Sequence, residues 1–196
     1  DRSAFERGRN IQAMIFDKTG TLTKGEFGVT DTIALADGMD ERELLKYAAA
    51  VETNSEHPIA KGIAESVEEP PKVENFKSIP GKGAQGTVDG KEVKVVSPGF
   101  LKENDISMED ERIDTFNSQG KTVVFVLIDG DLIGAIALAD IIREEPKEAI
   151  SKLREMGIQC MMLTGDNTLV AKWVSEEIGL DEYFAEVLPQ DKAEKV

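Results

Sequence analysis

One cysteine, Cys160, and one histidine, His57, are all that this 196-residue chain carries of either type. A lone thiol excludes an intrachain disulfide framework and a thiolate cluster for zinc, and it fits a reducing compartment. Its place in the apolar run IQCMML reads as a small core residue. Cations are also scarce, with 23 Lys and Arg against 38 Asp and Glu and a formal net charge of −15. Binding to nucleic acid or to an anionic membrane needs clustered cations that displace counterions, so neither is expected; the excess charge reads as solubility. No apolar run approaches the roughly 18 to 20 residues that span a bilayer. LIGAIALA and VVFVLI are the longest, and both are strand-like. Neither a secretory leader nor an initiator Met is present, so the expectation is a soluble, monomeric piece of something larger.

What is present is ordinary globular composition, 40% hydrophobic and 31% charged, on a length that suits one large or two modest domains. Residues 1–10 are polar with Arg-rich helical character and lead into a buried-type strand over 11–16, which leaves Asp17 at its C-terminal end. DERELLKYAAA opens with an N-cap and an acidic first turn and predicts a helix over 40–50. A second helix is predicted over 59–67, with Pro58 suited to its first turn. The stretch from 73 to 97 alternates strand-like segments with glycine turns, and VDGK signals a hairpin. TVVFVLIDGDLIGAIALAD predicts another, with Asp129-Gly130 in the turn, and the two hairpins suggest one antiparallel sheet. After Asp140 the order is helix (EEPKEAISKLREMG), strand (IQCMMLTGD), helix (NTLVAKWVSEEIG), strand (YFAEVLP), the alternation of a parallel α/β sheet. The expected architecture is a Rossmann-like α/β domain formed by residues 1–29 and 139–196. An α+β domain with an antiparallel sheet interrupts it over 30–138, and the two adjacent chain crossings make a hinge.

In open α/β sheets, ligands collect beyond the carboxyl ends of the strands. Three residues wait there: Asp17 with KTGT behind it, Thr164 with GD, and Lys192 beyond EVLPQ. A carboxylate, a hydroxyl beside glycine amides and a lysine are what phosphoryl transfer to a carboxylate requires. Asp17 would attack a γ-phosphate, Thr164 and nearby backbone N–H groups would hold its oxygens, and Lys192 would offset the gathering charge. A magnesium ion would bridge Asp17 and the phosphate. Taken singly, each residue has a plainer reading as turn, helix cap or surface lysine.

DKTGTLT, residues 17–23, resembles without departure the phosphorylation sequence of P-type cation-transporting ATPases, a branch of the haloacid-dehalogenase-like superfamily. TGD followed by Asn167 resembles that family's second motif, and LPQDK resembles its lysine-bearing third. The resemblance implies a haloacid-dehalogenase-type phosphorylation domain with Asp17 as acyl-phosphate nucleophile. It places Lys18, Thr19, Thr164, Gly165 and Lys192 in the catalytic set, and makes Asp17 and the Thr19 carbonyl ligands of magnesium. Asp166, Asp140 and Arg143 fall on the nucleotide side, the last two resembling a hinge-region pair near the phosphate; read alone, Asp140 and Arg143 are a helix N-cap and a surface arginine. A fourth motif, Gly-Asp-Gly-x-Asn-Asp with a further magnesium ligand, would follow Lys192.

SEHP, holding His57, resembles the nucleotide-binding domain of heavy-metal (type IB) P-type ATPases, which implies that Glu52 and His57 receive the adenine of ATP while Gly81 and Gly83 line the cleft. GKGAQG formally fits G-x-G-x-x-G, yet a hairpin rather than a helix follows it, so a dinucleotide fold is not expected. One departure is Ser97-Pro98, where that family carries Gly-Asn. The function implied is the ATP-binding and phosphorylation region of a heavy-metal transporter, at the cytoplasmic side of an integral membrane protein. Its partners would be ATP, the transmembrane and actuator parts of the same parent, and a transported metal ion held elsewhere. GEFGVTD suggests copper, with zinc and cadmium open. Two other readings are a soluble phosphohydrolase, which would carry an acid where Thr19 stands, and a nucleotide-binding fragment without catalysis.

Overall fold

A computed structural model describes residues 11–194; the helical character expected of residues 1–10 lies outside them. In chain order the elements are β1 (Ala13–Asp17), β2 (Thr23–Ala34), α1 (Glu41–Glu52), α2 (Pro58–Ala64), β3 (Glu74–Ile79), β4 (Gly83–Val88), β5 (Lys91–Val96), α3 (Pro98–Glu103), α4 (Glu111–Ser118), β6 (Thr122–Ile128), β7 (Asp131–Ile142), α5 (Glu144–Glu155), β8 (Gln159–Leu163), α6 (Thr168–Ile178) and β9 (Glu182–Phe184). A kinked turn, Lys18–Leu22, joins β1 to β2, and a short 3-10 turn spans Pro189–Glu194. Two compact units result. One contains the described residues up to Gly25 and those from Ile141 onward; the other is Glu26–Asp140. The chain leaves the first unit in β2 and returns in β7.

The first unit is a parallel sheet in the order β1-β8-β9. Alternation decides which face of β8 is inside: Cys160 and Met162 are fully buried with Leu22, Ile150, Ala171, Val174 and Ile178. The expected core role of Cys160 is thus met. Pro146 sits in the first turn of α5, where its missing N–H has no helical partner to lose. Glu144 and Glu145 at the start of α5 and Lys152 and Arg154 at its end suit the helix dipole. In α6, the Asn167 side chain accepts from the Val170 N–H and caps the start, while Gly179 at φ +83° ends the helix in the left-handed region. The last strand is shorter than the sequence suggests. After Phe184 the chain turns back, with Glu186 at φ +56°, and the N–H groups of Glu186 and Val187 donate to the carbonyls of Asp166 and Thr164 instead of extending the ladder.

The second unit is built on a six-stranded sheet, order β2-β7-β6-β5-β4-β3. Both predicted hairpin turns have two successive positive φ angles, 49° and 75° at Asp89-Gly90 and 50° and 85° at Asp129-Gly130, the geometry that the right-handed twist of the strands favours. Along β6, Val123, Phe125 and Leu127 face one core while Val126 and Ile128 face the other. Helices α1 and α2 cover the second of these faces, α3 and α4 the first. Helix α1 begins as predicted, with the Asp40 carboxylate accepting from the Arg42 N–H. Helix α2 stops at Ala64, short of the predicted 67, and the Ser66 hydroxyl donates to the Ile63 carbonyl that a further turn would use. β2, α3 and α4 are not evident in the sequence.

Glycine 62 fixes how closely α2 approaches the sheet: a Cβ there would lie 2.5 Å from the Phe27 carbonyl oxygen on β2. Helix propensity alone would make Gly62→Ala stabilising by about 1 kcal/mol. The contact reverses that sign, and the variant is expected to lose on the order of 1–3 kcal/mol, read as a lowered urea midpoint at unchanged slope. A raised midpoint would refute the packing.

Candidate active site

β1 and β8 pair in parallel with Asp17 opposite Leu163, so the residues just after each strand emerge at the same edge. Asp17 is exposed there. One oxygen, Oδ1, accepts from the Thr19 N–H at 3.2 Å; the other, Oδ2, lies 2.8 Å from Lys192 Nζ. The first bond closes a tight turn that Gly20, at φ +79°, allows to continue. Lys18, next along the chain, points the opposite way and is buried, with Nζ 2.7 Å from Asp166 Oδ2. A buried ammonium without an anion would be costly, so this pair ties the DKTG turn to the TGD turn.

Thr164 is 2% exposed and its hydroxyl is committed on both sides. Oγ1 accepts from the Asp166 N–H at 3.1 Å and donates to Asp166 Oδ2, also at 3.1 Å. Asp166 therefore receives both Lys18 and Thr164. Gly165 is exposed between them, and a Cβ there would meet only the Val187 carbonyl, at 3.4 Å. Asn167, not the TGD triplet, caps α6. Arg143 holds the start of β2, its N–H donating to the Leu22 carbonyl and its Nε to the Thr23 carbonyl at 3.2 Å. Asp140 lies within β7 and does not cap α5, whose N-cap position is Arg143. Thr23, buried and donating to the Lys18 carbonyl, braces the turn from beneath; nothing in the sequence beyond its place in DKTGTLT marked that role.

A separate cleft of about 330 Å³ lies within the second unit. Its walls are apolar, from Ile59, Ile63, Val95 and Val123 among others, and Glu52, His57, Gly81 and Gly83 all line it. Glu52, at the end of α1, is 5% exposed and its carboxyl makes no side-chain hydrogen bond or ion pair among the described residues. Burial pushes its pKa from 4.5 up to about 7. His57 is the N-cap of α2: its Nδ1 accepts from the Ile59 N–H at 3.2 Å. That bond places the imidazole proton on Nε2, which is left as a donor. Gly81 and Gly83 take φ of +69° and +143°, and a Cβ on Gly83 would strike the Val95 carbonyl. Ser97 and Pro98, the departure from Gly-Asn, also line it, and the sequence did not single out two other lining residues, Lys82 and Thr122; only the position of Lys82 between the paired glycines could have pointed to it.

Residues 11–195 match the haloacid dehalogenase-like hydrolase family. The copper-exporting P-type ATPase B of Archaeoglobus fulgidus is 58% identical over 200 residues, all of this chain and 29% of that protein. The chain belongs to the haloacid dehalogenase-like hydrolase family. Among solved structures, a zinc-transporting PIB-type ATPase in its E2.Pi state superposes with a TM-score of 0.83 at 36% identity, over 95% of this chain and 31% of that one. The catalytic domain of the CPx-ATPase CopB-B, from a study of nucleotide binding, gives 0.57 at 30% identity, over all of this chain and 69% of that one. The chain spans less than a third of the curated relative's length. Its relatives are named for different ions, copper and zinc, although each covers nearly the same residues. No helix among the described residues is long and apolar enough to cross a membrane.

Glu52 yields a pH prediction. The folded chain holds the Glu52 proton more tightly than the unfolded chain, so the residue costs stability as pH rises above the ordinary carboxyl range, and the full cost is reached above about 7. Glu52→Gln is expected to leave stability near pH 4.5 unchanged and to raise it at pH 8 by on the order of 1–3 kcal/mol. A variant less stable than the parent at pH 8 would contradict the desolvation.

Proposed function

We propose that this chain is the ATP-binding and phosphorylation region of a heavy-metal-transporting P-type ATPase, with Asp17 as the residue that accepts the γ-phosphoryl group. The observation that carries the reading is the strand-end cluster: an exposed Asp17 carboxylate 2.8 Å from Lys192 Nζ, on a turn anchored by the buried Lys18, which pairs with Asp166. A nucleophilic carboxylate has to be accessible and held. Here one side of the turn supplies access and the other supplies the anchor.

In the proposed reaction an Asp17 oxygen attacks the γ-phosphorus in line with the bond to ADP. A new phosphorus–oxygen bond forms to the carboxylate, the bond to the β-γ bridging oxygen breaks, and ADP leaves with that electron pair. Lys192 offsets the charge of carboxylate and phosphoryl oxygens, and the exposed Gly165 backbone is open to a phosphate oxygen. The bond from the Thr19 N–H keeps the carboxylate oriented.

Magnesium fits the donors present. The Asp17 carboxylate and the Thr19 carbonyl are hard oxygen ligands, and no cluster of three or more His, Cys, Asp or Glu side chains poised for a metal occurs among the described residues. One carboxylate with phosphate and water completing the shell is the usual magnesium arrangement, since this ion keeps much of its hydration. Bound there, it would neutralise charge between carboxylate and phosphate.

ATP would be received in the second unit, with its purine in the apolar cleft against Glu52 and His57. The His57 Nε2–H can donate to a ring nitrogen. Glu52 can accept from the exocyclic amine when ionised, and the close approach of glycine backbone leaves room for a flat ring. Thr19 occupies the position at which a phosphohydrolase would carry its general acid, which favours a lasting phosphoenzyme over rapid hydrolysis. Breakdown of that acyl phosphate would accompany ion movement through membrane segments of the parent protein.

Incubation with γ-labelled ATP and magnesium followed by acid quench is expected to leave label that alkali or hydroxylamine releases, with Asp17→Asn reducing it by about two orders of magnitude or more. Label that persists in Asp17→Asn would overturn the assignment.

A further inference from the structure

The cleft of the second unit is polarised in a way that the purine assignment leaves unused. Its acid and imidazole, Glu52 and His57, come from the α1–α2 side of the sheet. Lys82 is the one lysine or arginine among the described residues that line the cleft, and it reaches toward α3, which packs on the opposite face. Its Nζ pairs with Glu103 Oε1 at 2.6 Å, and the two side chains are 30% and 62% exposed. Ser97 stands beside it: the Ser97 N–H donates to the Lys82 carbonyl at 2.7 Å, and the Ser97 hydroxyl makes no capping bond to α3. Lys82 Nζ and Ser97 Oγ converge on one point, since a Cβ built on Gly99 would lie 3.4 Å from the first and 3.7 Å from the second.

We propose that Lys82, with Ser97 beside it, is the polyphosphate-binding end of this cleft, and that a nucleoside polyphosphate displaces Glu103 from Lys82 when it binds. The proposal rests on the reading of the cleft as a nucleotide site and adds which residue takes the phosphates. Energetics favour the exchange. A lysine–carboxylate pair this open to solvent contributes little, so its loss costs little, while a phosphate carries more charge and several acceptor oxygens. Gly81 and Gly83, both at positive φ, flank Lys82, whose side chain lines the cleft and stays 30% exposed. The chain is strongly acidic, −15 overall, and a nearby carboxylate on Lys82 would repel a polyphosphate; the same lysine with Glu103 displaced attracts it. Glu103 thereby acts as an internal competitor that sets the affinity, and Ser97-Pro98 places a hydroxyl donor next to the lysine.

Nuclear magnetic resonance titrations of the full chain with adenosine, AMP, ADP and ATP test this. Lys82→Gln is expected to weaken ATP and ADP roughly tenfold and to leave adenosine within about twofold, with Lys82→Arg restoring most of the loss. Glu103→Gln is expected to tighten ATP a few-fold and to leave adenosine unchanged, an effect that a purely structural ion pair would not give. If the parent chain binds ATP and Lys82→Gln binds it equally well, or loses adenosine to the same extent, the phosphate assignment is wrong while the nucleotide cleft stands. Weaker ATP binding by Glu103→Gln would overturn that assignment in the same way. If the parent chain binds none of the four ligands, the cleft is not a nucleotide site and both readings fall together.

Discussion

The parallel pairing of β1 with β8 is the constraint on which the candidate chemistry depends. Their register sets Asp17 opposite Leu163, so the chain emerges from both strands at one edge and DKTG lies beside TGD. A slip of one residue would turn Cys160 and Met162 out of the core and carry Asp17 away from Thr164, and the buried contacts of those two side chains hold the register. Asp17 ends β1 and Lys18 opens the turn that follows, one exposed and the other buried. Lys18 is buried against a half-buried Asp166, and this ion pair helps to hold the turn that carries the exposed carboxylate.

The second unit shows the same economy in an antiparallel setting. Alternation along β6 builds two cores, one beneath α1 and α2 and the other beneath α3 and α4. The cleft is lined by α1 and α2, which bring the acid and the imidazole, and by the turn between β3 and β4, which brings the lysine. Glu52 shows what such a place costs. A carboxyl with no side-chain partner among the described residues, buried until its pKa reaches about 7, is poor for stability, and an arrangement of that kind marks a position kept for something other than folding.

Much of the architecture was legible because local signals agreed with the tertiary outcome. The two Asp-Gly turns required positive φ and took it; Asp40 and Asn167 cap the helices that they precede. Seven specified residues, DKTGTLT, carried the resemblance on which the proposed reaction rests before any geometry. Other features escaped because they are decided by packing. β2 mixes Lys, Gly, Glu, Thr and Asp with few apolar residues and is a strand because β7 lies beside it. α3 has six residues and one fully packed side chain, Leu101, and α4 contributes only Ile113 and Phe116 to the core. Within the site, the sequence could set Lys192 beside the Asp17 carboxylate but not pair Lys18 with Asp166. Thr164 looked free to meet phosphate, whereas its hydroxyl is engaged by Asp166 on both sides.

Everything proposed for the reaction turns on which atom receives the phosphoryl group. Acyl phosphates are reduced by borohydride, so treatment of the ATP-reacted chain and peptide mass spectrometry reads the acceptor residue directly. Conversion of Asp17, and of no other residue, to homoserine in an ATP- and magnesium-dependent manner is the predicted result; conversion at a different carboxylate, with Asp17 intact, would contradict it.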